Sequence, residues 1–395
     1  MNLPKAVEVV ATVFLFSCAI DGRSQSTTIQ DATNSVNSGV TNRGNWRRRE
    51  RIVTEPAVLD WSHIPDAADA DTLMAAFNRA FYVRTNGVGY FRASTTSNKP
   101  ADFWKLAEEI EMVIDAWERA RNPAYSNQVV ELIEGFNRLH SDWTKNEFND
   151  DVMWICIANL RGYQVTRNVK WRDHARANFD AIYARAWDTN FAGGGLFWKT
   201  ENRSKNTCVN APAAIAACLL WKTCGAVKYR DIANEIIDWN KKVLSDGHGW
   251  IYDSIRTNGS VSRVSFSYNQ GTFIGACNFL GRTNDAAEVM DYAIHEQGVT
   301  VKEFQILPPY RLTTDSAGFH GIFLRWAARY MREQHLESAY LPWLQANALS
   351  AWLVRRPSDN LSWCDWVQKT PTNAAVELPS WACSASVVAL QALPP

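Results

Sequence analysis

The stretch Ala211-Pro-Ala-Ala-Ile-Ala-Ala-Cys-Leu-Leu-Trp-Lys-Thr-Cys224 is apolar on nearly every side, whereas the next segment, Tyr229–Leu244, carries Arg230, Asp231, Glu235, Lys241 and Lys242 along one side. A helix that is apolar over so broad an arc must touch protein on two sides, while one with a charged stripe must face water there. The two segments therefore read as the inner and outer members of a helical hairpin. Upstream, apolar residues recur at three- and four-residue spacing in Thr72–Tyr82, Ala101–Ala120, Gln128–Leu139, Asp150–Thr166 and Trp171–Ala186. Downstream they do so in Asn269–Leu280, Asn284–His295, Ser316–Met331, Leu336–Leu353 and Ser380–Leu390. That spacing is the helical period, and it predicts about twelve helices. The class is all-α, with six helical hairpins closing into a ring. A superhelical array is the competing layout, but no fixed-period repeat is found. Only Trp250–Ile255 and Ser262–Phe266 suggest a hairpin of strands in a loop.

Composition narrows the function. Lysine plus arginine equals aspartate plus glutamate, 41 each, which removes the electrostatic case for nucleic acid as a partner. Tryptophan is unusually abundant at 18 residues. Most of these fill a helical core, but the flat indole face with its single N–H also suits the C–H faces of sugar rings. Lys5 followed by the mostly apolar run Ala6–Ile20 is too short to span a bilayer and suits a leader over 1–20, secretory or lipoprotein. Leu15-Phe16-Ser17-Cys18 partly resembles a lipobox and makes Cys18 a candidate lipid anchor. Residues 21–55 are polar, with a basic stretch at Arg47–Arg51, and read as a disordered linker. Residues 56–395 form the expected folded domain, a monomer. Cys156, Cys218 and Cys277 read as small core residues, and Cys364 and Cys383 as loop cysteines able to pair in an oxidising compartment.

The chemistry centres on Phe148-Asn149-Asp150-Asp151-Val152-Met153-Trp154. Taken alone, such a run most often starts a helix: Asn149 as N-cap, and the acidic residues against the positive end of the helix dipole. The alternative is catalytic. Adjacent carboxylates raise one another's pKa, leaving one group able to donate a proton while the other stays ionised. A glycosidase needs that asymmetry, an acid for the leaving oxygen and a carboxylate for the anomeric carbon or its water. Neighbours on a helix end suit the closer spacing of a retaining pair, but the residues alone leave the wider inverting geometry open.

The blocks around this pair resemble glycoside hydrolase family 76, the endo-α-1,6-mannanases, in which an aromatic-Asn-Asp-Asp motif opens a helix. Trp187-Asp188 followed by Gly193-Gly194-Gly195-Leu196-Phe197-Trp198-Lys199 resembles the family's glycine-rich loop. Lys205-Asn206 and Asn210 resemble its Lys-Asn segment, from which Thr207-Cys208 departs. Ser267-Tyr268-Asn269-Gln270-Gly271-Thr272-Phe273 resembles its Tyr-Asn-Gln-Gly block. Phe319-His320-Gly321-Ile322-Phe323 resembles Phe-Lys-Gly-Ile-Phe, with His320 where lysine is commoner. The resemblance spans roughly Ala101 to Tyr330. It implies an (α/α)6 barrel and a retaining mechanism, with Asp150 as nucleophile and Asp151 as acid/base. The expected sugar contacts are Asn149, Trp187, Asp188, Gly194, Trp198, Asp253, Tyr268, Asn269, Gln270 and His320. Three glycines before an aromatic pair would let that platform approach a sugar closely. Asn269 could equally be the N-cap of its helix.

The implied activity is cleavage of internal α-1,6-mannosidic bonds of a mannan-like polysaccharide by a secreted or cell-surface protein. Cell-wall transglycosylation is the neighbouring reading. It usually accompanies a GPI signal, which Val387–Pro395 does not resemble. A non-catalytic glycan-binding protein on the same barrel is the reading from another class. No HExxH, G-x-S-x-G or P-loop is present, and the histidines are scattered, so no metal or cofactor is expected.

Overall fold

The computed structural model describes residues 61–373 and 375–395; the expected leader, the linker and Cys18 lie outside them. Twelve α-helices occur among the described residues. The outer ones are α1 (Ala67–Phe81), α3 (Pro123–Leu139), α5 (Val169–Ala186), α7 (Val227–Val243), α9 (Thr283–Tyr292) and α11 (Glu337–Leu353). The inner ones are α2 (Phe103–Ala120), α4 (Asn149–Thr166), α6 (Thr207–Cys224), α8 (Ser267–Leu280), α10 (Phe319–Glu333) and α12 (Ser380–Gln391). Each inner helix packs against the next, and α12 returns to α2, closing the (α/α)6 barrel. The hairpin that decided the class divides as its composition requires. All of Val209–Leu220 in α6 is buried, whereas α7 buries only Tyr229, Ala233, Ile236, Ile237, Trp239 and Asn240. No helix among the described residues is long and apolar enough to cross a membrane.

Several helices begin earlier than apolar spacing suggested, because their first turns are polar. Helix α1 starts at Ala67 rather than Thr72, where the Asp66 carboxylate accepts from the Ala68 and Asp69 amides in a capping box. Helix α3 starts at Pro123, capped by Asn122, rather than at Gln128. The expected loop hairpin is present but shifted. Strands β3 (Ser204–Asn206), β4 (Ser254–Arg256) and β5 (Val261–Ser262) form one small antiparallel sheet. Two further hairpins, β1–β2 (Tyr82–Thr85 with Val88–Phe91) and β6–β7 (Val299–Val301 with Phe304–Ile306), were not anticipated. The first turns on Asn86-Gly87, with φ of +52° and +77°, a dipeptide that itself signals such a turn. The suggested Cys364–Cys383 pair does not form. Both are buried free thiols, and Cys383 lies within α12 rather than in a loop.

The barrel interior holds an ionic cage that no periodicity reveals. Glu108, Glu111 and Asp115 project from α2 toward Arg161 of α4 and Arg325 of α10. Arg161 bonds Glu111 at 2.8 Å and Asp115 at 2.7 Å; Arg325 bonds Asp115 at 2.7 Å and Glu108 at 2.5 Å. Burial pushes Glu108 up to about 8, the Arg325 guanidinium opposing it. Burial also opposes ionisation of Asp115, yet Arg325 and Arg161 together hold its carboxyl below the usual range. Arg161 also reaches Glu118 at 3.2 Å, so the two guanidiniums are enclosed by four carboxyl groups.

Candidate active site

The N-terminal ends of the inner helices gather at one mouth of the barrel, and the aspartate pair sits there in the first turn of α4. The N-cap is Phe148 rather than Asn149, and it offers no side-chain cap. Asn146 supplies what Phe148 lacks. Its side-chain oxygen accepts from the Phe148 amide at 2.9 Å, and its Nδ2 donates to Asp151 Oδ2 at 2.8 Å. Arg185, in the last turn of α5, pins this loop by donating to Thr144 O, Asn146 O and Asn149 Oδ1. Asn149 is fully buried, and its Nδ2 donates to Phe197 O at 2.8 Å. It therefore ties the pair to the neighbouring loop.

Asp150 and Asp151 are 3% and 8% exposed. Burial pushes Asp150 up to about 7, while the Cys208 thiol, the Trp198 indole N–H and first-turn amides favour its charged form. Its Oδ1 atom is buried and lacks a well-aligned hydrogen bond. Asp151 is raised well above the carboxylate range, first by burial and then by the charge of Asp150. Asn146 opposes that rise, and Asp102 and Asp315 add to it. These two last carboxylates arrive from the approaches to α2 and α10 and share Lys105, at 2.8 Å and 3.2 Å. Cys208, Trp198 and first-turn amides favour charge on Asp150, whereas the charges of Asp150, Asp102 and Asp315 oppose ionisation of Asp151, which Asn146 alone favours. Asp150 is therefore the group that ionises first, and Asp151 the one that keeps the proton.

The wall beside the pair is aromatic. Trp198 meets Phe148 edge to face at 5.4 Å, and the Lys199 ammonium lies 4.3 Å from the Phe148 ring. Across the mouth, Tyr268 packs on Phe319 at 4.4 Å and touches Trp154, with Trp104 and Trp381 beyond. The Tyr268 hydroxyl lies 3.5 Å from Asp253 Oδ1; Asp253 is partly exposed, and its pKa is raised by burial. Thus Asp150, Asp151 and Trp198 come together, and Tyr268 and Asp253 form a second polar edge.

The other expected contacts are turned to structural work. Asn269 and Gln270 are fully buried inside the first turn of α8, whose N-cap is Phe266, so Asn269 is not the cap. Asn269 donates to Tyr252 O and Gln270 to Ser265 Oγ. His320 is buried between Ser267 Oγ at 3.0 Å and Pro308 O at 2.7 Å and stacks on Tyr310. Burial lowers its pKa to about 3, so it is a neutral spacer.

Asp188 and Gly194 belong to a loop gathered round one ammonium. Lys205, fully buried, donates to Asp188 O, Phe191 O and Gly194 O and pairs with Asp188 Oδ2 at 3.0 Å. Although burial opposes it, the Phe191 amide and Lys205 hold Asp188 at about 2. The glycines serve the packing of this loop on Trp239 rather than the approach of a sugar. At Gly195, with φ +87°, an added Cβ would stand 2.5 Å from the Trp239 ring, and at Gly194 2.9 Å. Trp187 also lies on that side, away from the pair. Missed at the sequence level were Asn146, Arg185, Lys105, Asp102 and Asp315, while Cys208 stood out only as a departure from the Lys-Asn segment. Each acts through spatial neighbours brought in by other hairpins, and only the Asn-x-x-Asn-Asp-Asp spacing carried any signal for one of them.

Comparisons with known proteins agree with this architecture. The model of glycosyl hydrolase family 76 matches residues 66–392. Mannan endo-1,6-alpha-mannosidase DFG5 of Saccharomyces cerevisiae is 26% identical over 257 residues, 58% of this chain and 54% of that protein. The chain thus spans about half the length of the curated relatives it matches. The GH76A alpha-1,6-mannanase of Salegentibacter sp. HEL1_6 superposes with a TM-score of 0.73 at 24% identity, covering 82% of this chain and 98% of that one. An inactive variant of that enzyme, with two consecutive aspartates changed to asparagine, was solved with α-1,6-mannotriose; it superposes with a TM-score of 0.73 at 23% identity, over 82% of this chain and 98% of its own.

Proposed function

Because the chain belongs to glycosyl hydrolase family 76, we propose that it cleaves internal α-1,6-mannosidic linkages of a mannan by double displacement at Asp150 and Asp151. The observation that carries this reading is the unequal environment of two buried neighbouring carboxyls. Asp151, the group that keeps its proton, donates it to the glycosidic oxygen as that bond breaks. Asp150, ionised among donors, forms a bond to the anomeric carbon and gives a β-linked mannosyl-enzyme. Asp151, now a carboxylate, takes a proton from water, whose oxygen displaces Asp150 and restores the α-configuration. Six helix N-termini around the mouth favour the negative charge that moves between the two groups. Trp198 offers a stacking face at the reacting sugar, and Tyr268 with Asp253 offers hydroxyl partners one wall away. The inactive double-aspartate variant of the Salegentibacter enzyme supports the choice of pair. The leader expected over 1–20 fits delivery to where such polysaccharide is met.

The test is digestion of α-1,6-linked mannan by the wild type, Asp150→Asn and Asp151→Asn, with product sizing and proton NMR of the first anomer released. Wild-type cleavage to α-anomers and loss in both variants is expected. Cleavage retained by either variant removes that residue from the mechanism, and a β-anomer released first refutes attack by Asp150. Binding without cleavage by the wild type would make the chain a glycan-binding protein.

A further inference from the structure

Outside the mouth, a groove of about 480 Å³ lies between the loop 187–199 and the outer helix α7, and none of the catalytic side chains lines it. Its volume falls within the range of about 300–1,000 Å³ common for ligand sites. One edge is formed by Trp187, Ala192 and Gly193, and the other by Asp231, Asn234 and Asp238 of α7, with Trp239 and Lys242 also lining it. Trp187 is partly exposed and is propped from beneath by Tyr183, stacked at 5.4 Å and 21°. Glu235, which lines the groove, lies beside the Tyr183 hydroxyl. The loop edge is equally rigid, because Lys205 gathers three of its carbonyls and Trp239 Nε1 donates to Ala192 O at 2.9 Å.

We propose that this groove is a second glycan-binding site, remote from the catalytic pair, which holds another stretch of the same α-1,6-mannan chain; it rests on the substrate proposed above. A preorganised indole face next to carboxylates and an amide matches an uncharged sugar, whose C–H face stacks while its hydroxyls donate. The lining carries Asp231, Glu235 and Asp238 and one cation, Lys242. Arg230 and Arg282 pair with Asp231 and Asp238 from outside it, at 3.5 and 2.7 Å, so the groove presents no cluster of cations for phosphate or other anions. The loop that forms the groove's edge continues to Trp198, which faces Asp150, so one rigid segment joins the two places. A polymer engaged at both gains the effective concentration of a tethered ligand, whereas a short oligosaccharide reaches only the mouth.

The experiment compares Trp187→Ala and the double variant Asp231→Ala with Asn234→Ala, which leaves the loop untouched. Binding of polymeric α-1,6-mannan is measured by affinity electrophoresis in an Asp150→Asn background, and hydrolysis of mannan and of α-1,6-mannotetraose in the active one. Both variants are expected to bind the polymer about three- to tenfold more weakly. They should raise KM on mannan to match and leave mannotetraose hydrolysis unchanged. Unchanged polymer affinity in both, with the wild type active, overturns the groove and leaves the functional reading standing. A parallel loss on mannotetraose makes the groove part of the catalytic cleft and refutes a remote site. A wild type that neither cleaves nor binds α-1,6-mannan overturns both readings.

Discussion

Replacing Asp150 by asparagine should make the protein more stable while removing its activity. In the fold, burial moves this carboxyl from 3.8 to about 7. A carboxyl whose folded pKa lies above its unfolded value destabilises the fold once the unfolded chain can ionise. Below about pH 4 both states are protonated and the penalty is absent; it grows between about pH 4 and 7 and is complete above. At about 1.4 kcal/mol per pH unit, this path amounts to about 4 kcal/mol at pH 7. Asp150 is only 3% exposed, so water screens little of it. It shares its charge repulsion with Asp151, however, and about 2–4 kcal/mol is the reasonable range for one substitution. In a domain of this size that raises Tm by about 3–6 °C. The assay is urea unfolding and thermal melting of the wild type and Asp150→Asn from pH 4 to 8. The stability gap should open as pH rises and close near pH 4. A variant less stable at pH 7, or a gap independent of pH, would refute the account of a strained buried pair.

Other substitutions probe the supports of the site. Arg325→Met strands Asp115 and Glu111 with fewer partners, and urea unfolding should show a loss of about 3–5 kcal/mol, partly recovered by adding Asp115→Asn. Asn146→Ala removes the donor that favours ionised Asp151, so the basic limb of kcat/KM on mannan should move to higher pH as the rate falls; a limb that stays put dismisses the contact. Gly195→Ala drives a Cβ against Trp239 at a positive φ. It should cost about 1–3 kcal/mol in thermal unfolding and lower activity as Trp198 shifts; wild-type stability would show that the loop yields freely.

The barrel was legible because its signals are local. An inner helix must be apolar all round and an outer helix must be striped, and α6 and α7 show both without reference to any other residue. The first turns, the Asn86-Gly87 hairpin and the shifted strands escaped because polar caps and short edges leave no apolar period. Asp150 and Asp151 could be located from their own adjacency and from the ordered blocks around them. Their inequality could not, since it arises from Asn146, Cys208, Trp198, Asp102 and Asp315, which reach the mouth on different elements. Asn149, Asp188 and His320 likewise sit in blocks that resemble a binding site, yet the fold spends their hydrogen bonds on its own loops, and it takes the amide N–H groups of Asn269 and Gln270. The ionic cage of Glu108, Glu111, Asp115, Arg161 and Arg325 was invisible for the same reason. Periodicity records which side of a helix avoids water, but the partner of a buried charge is fixed only when distant helices close the ring.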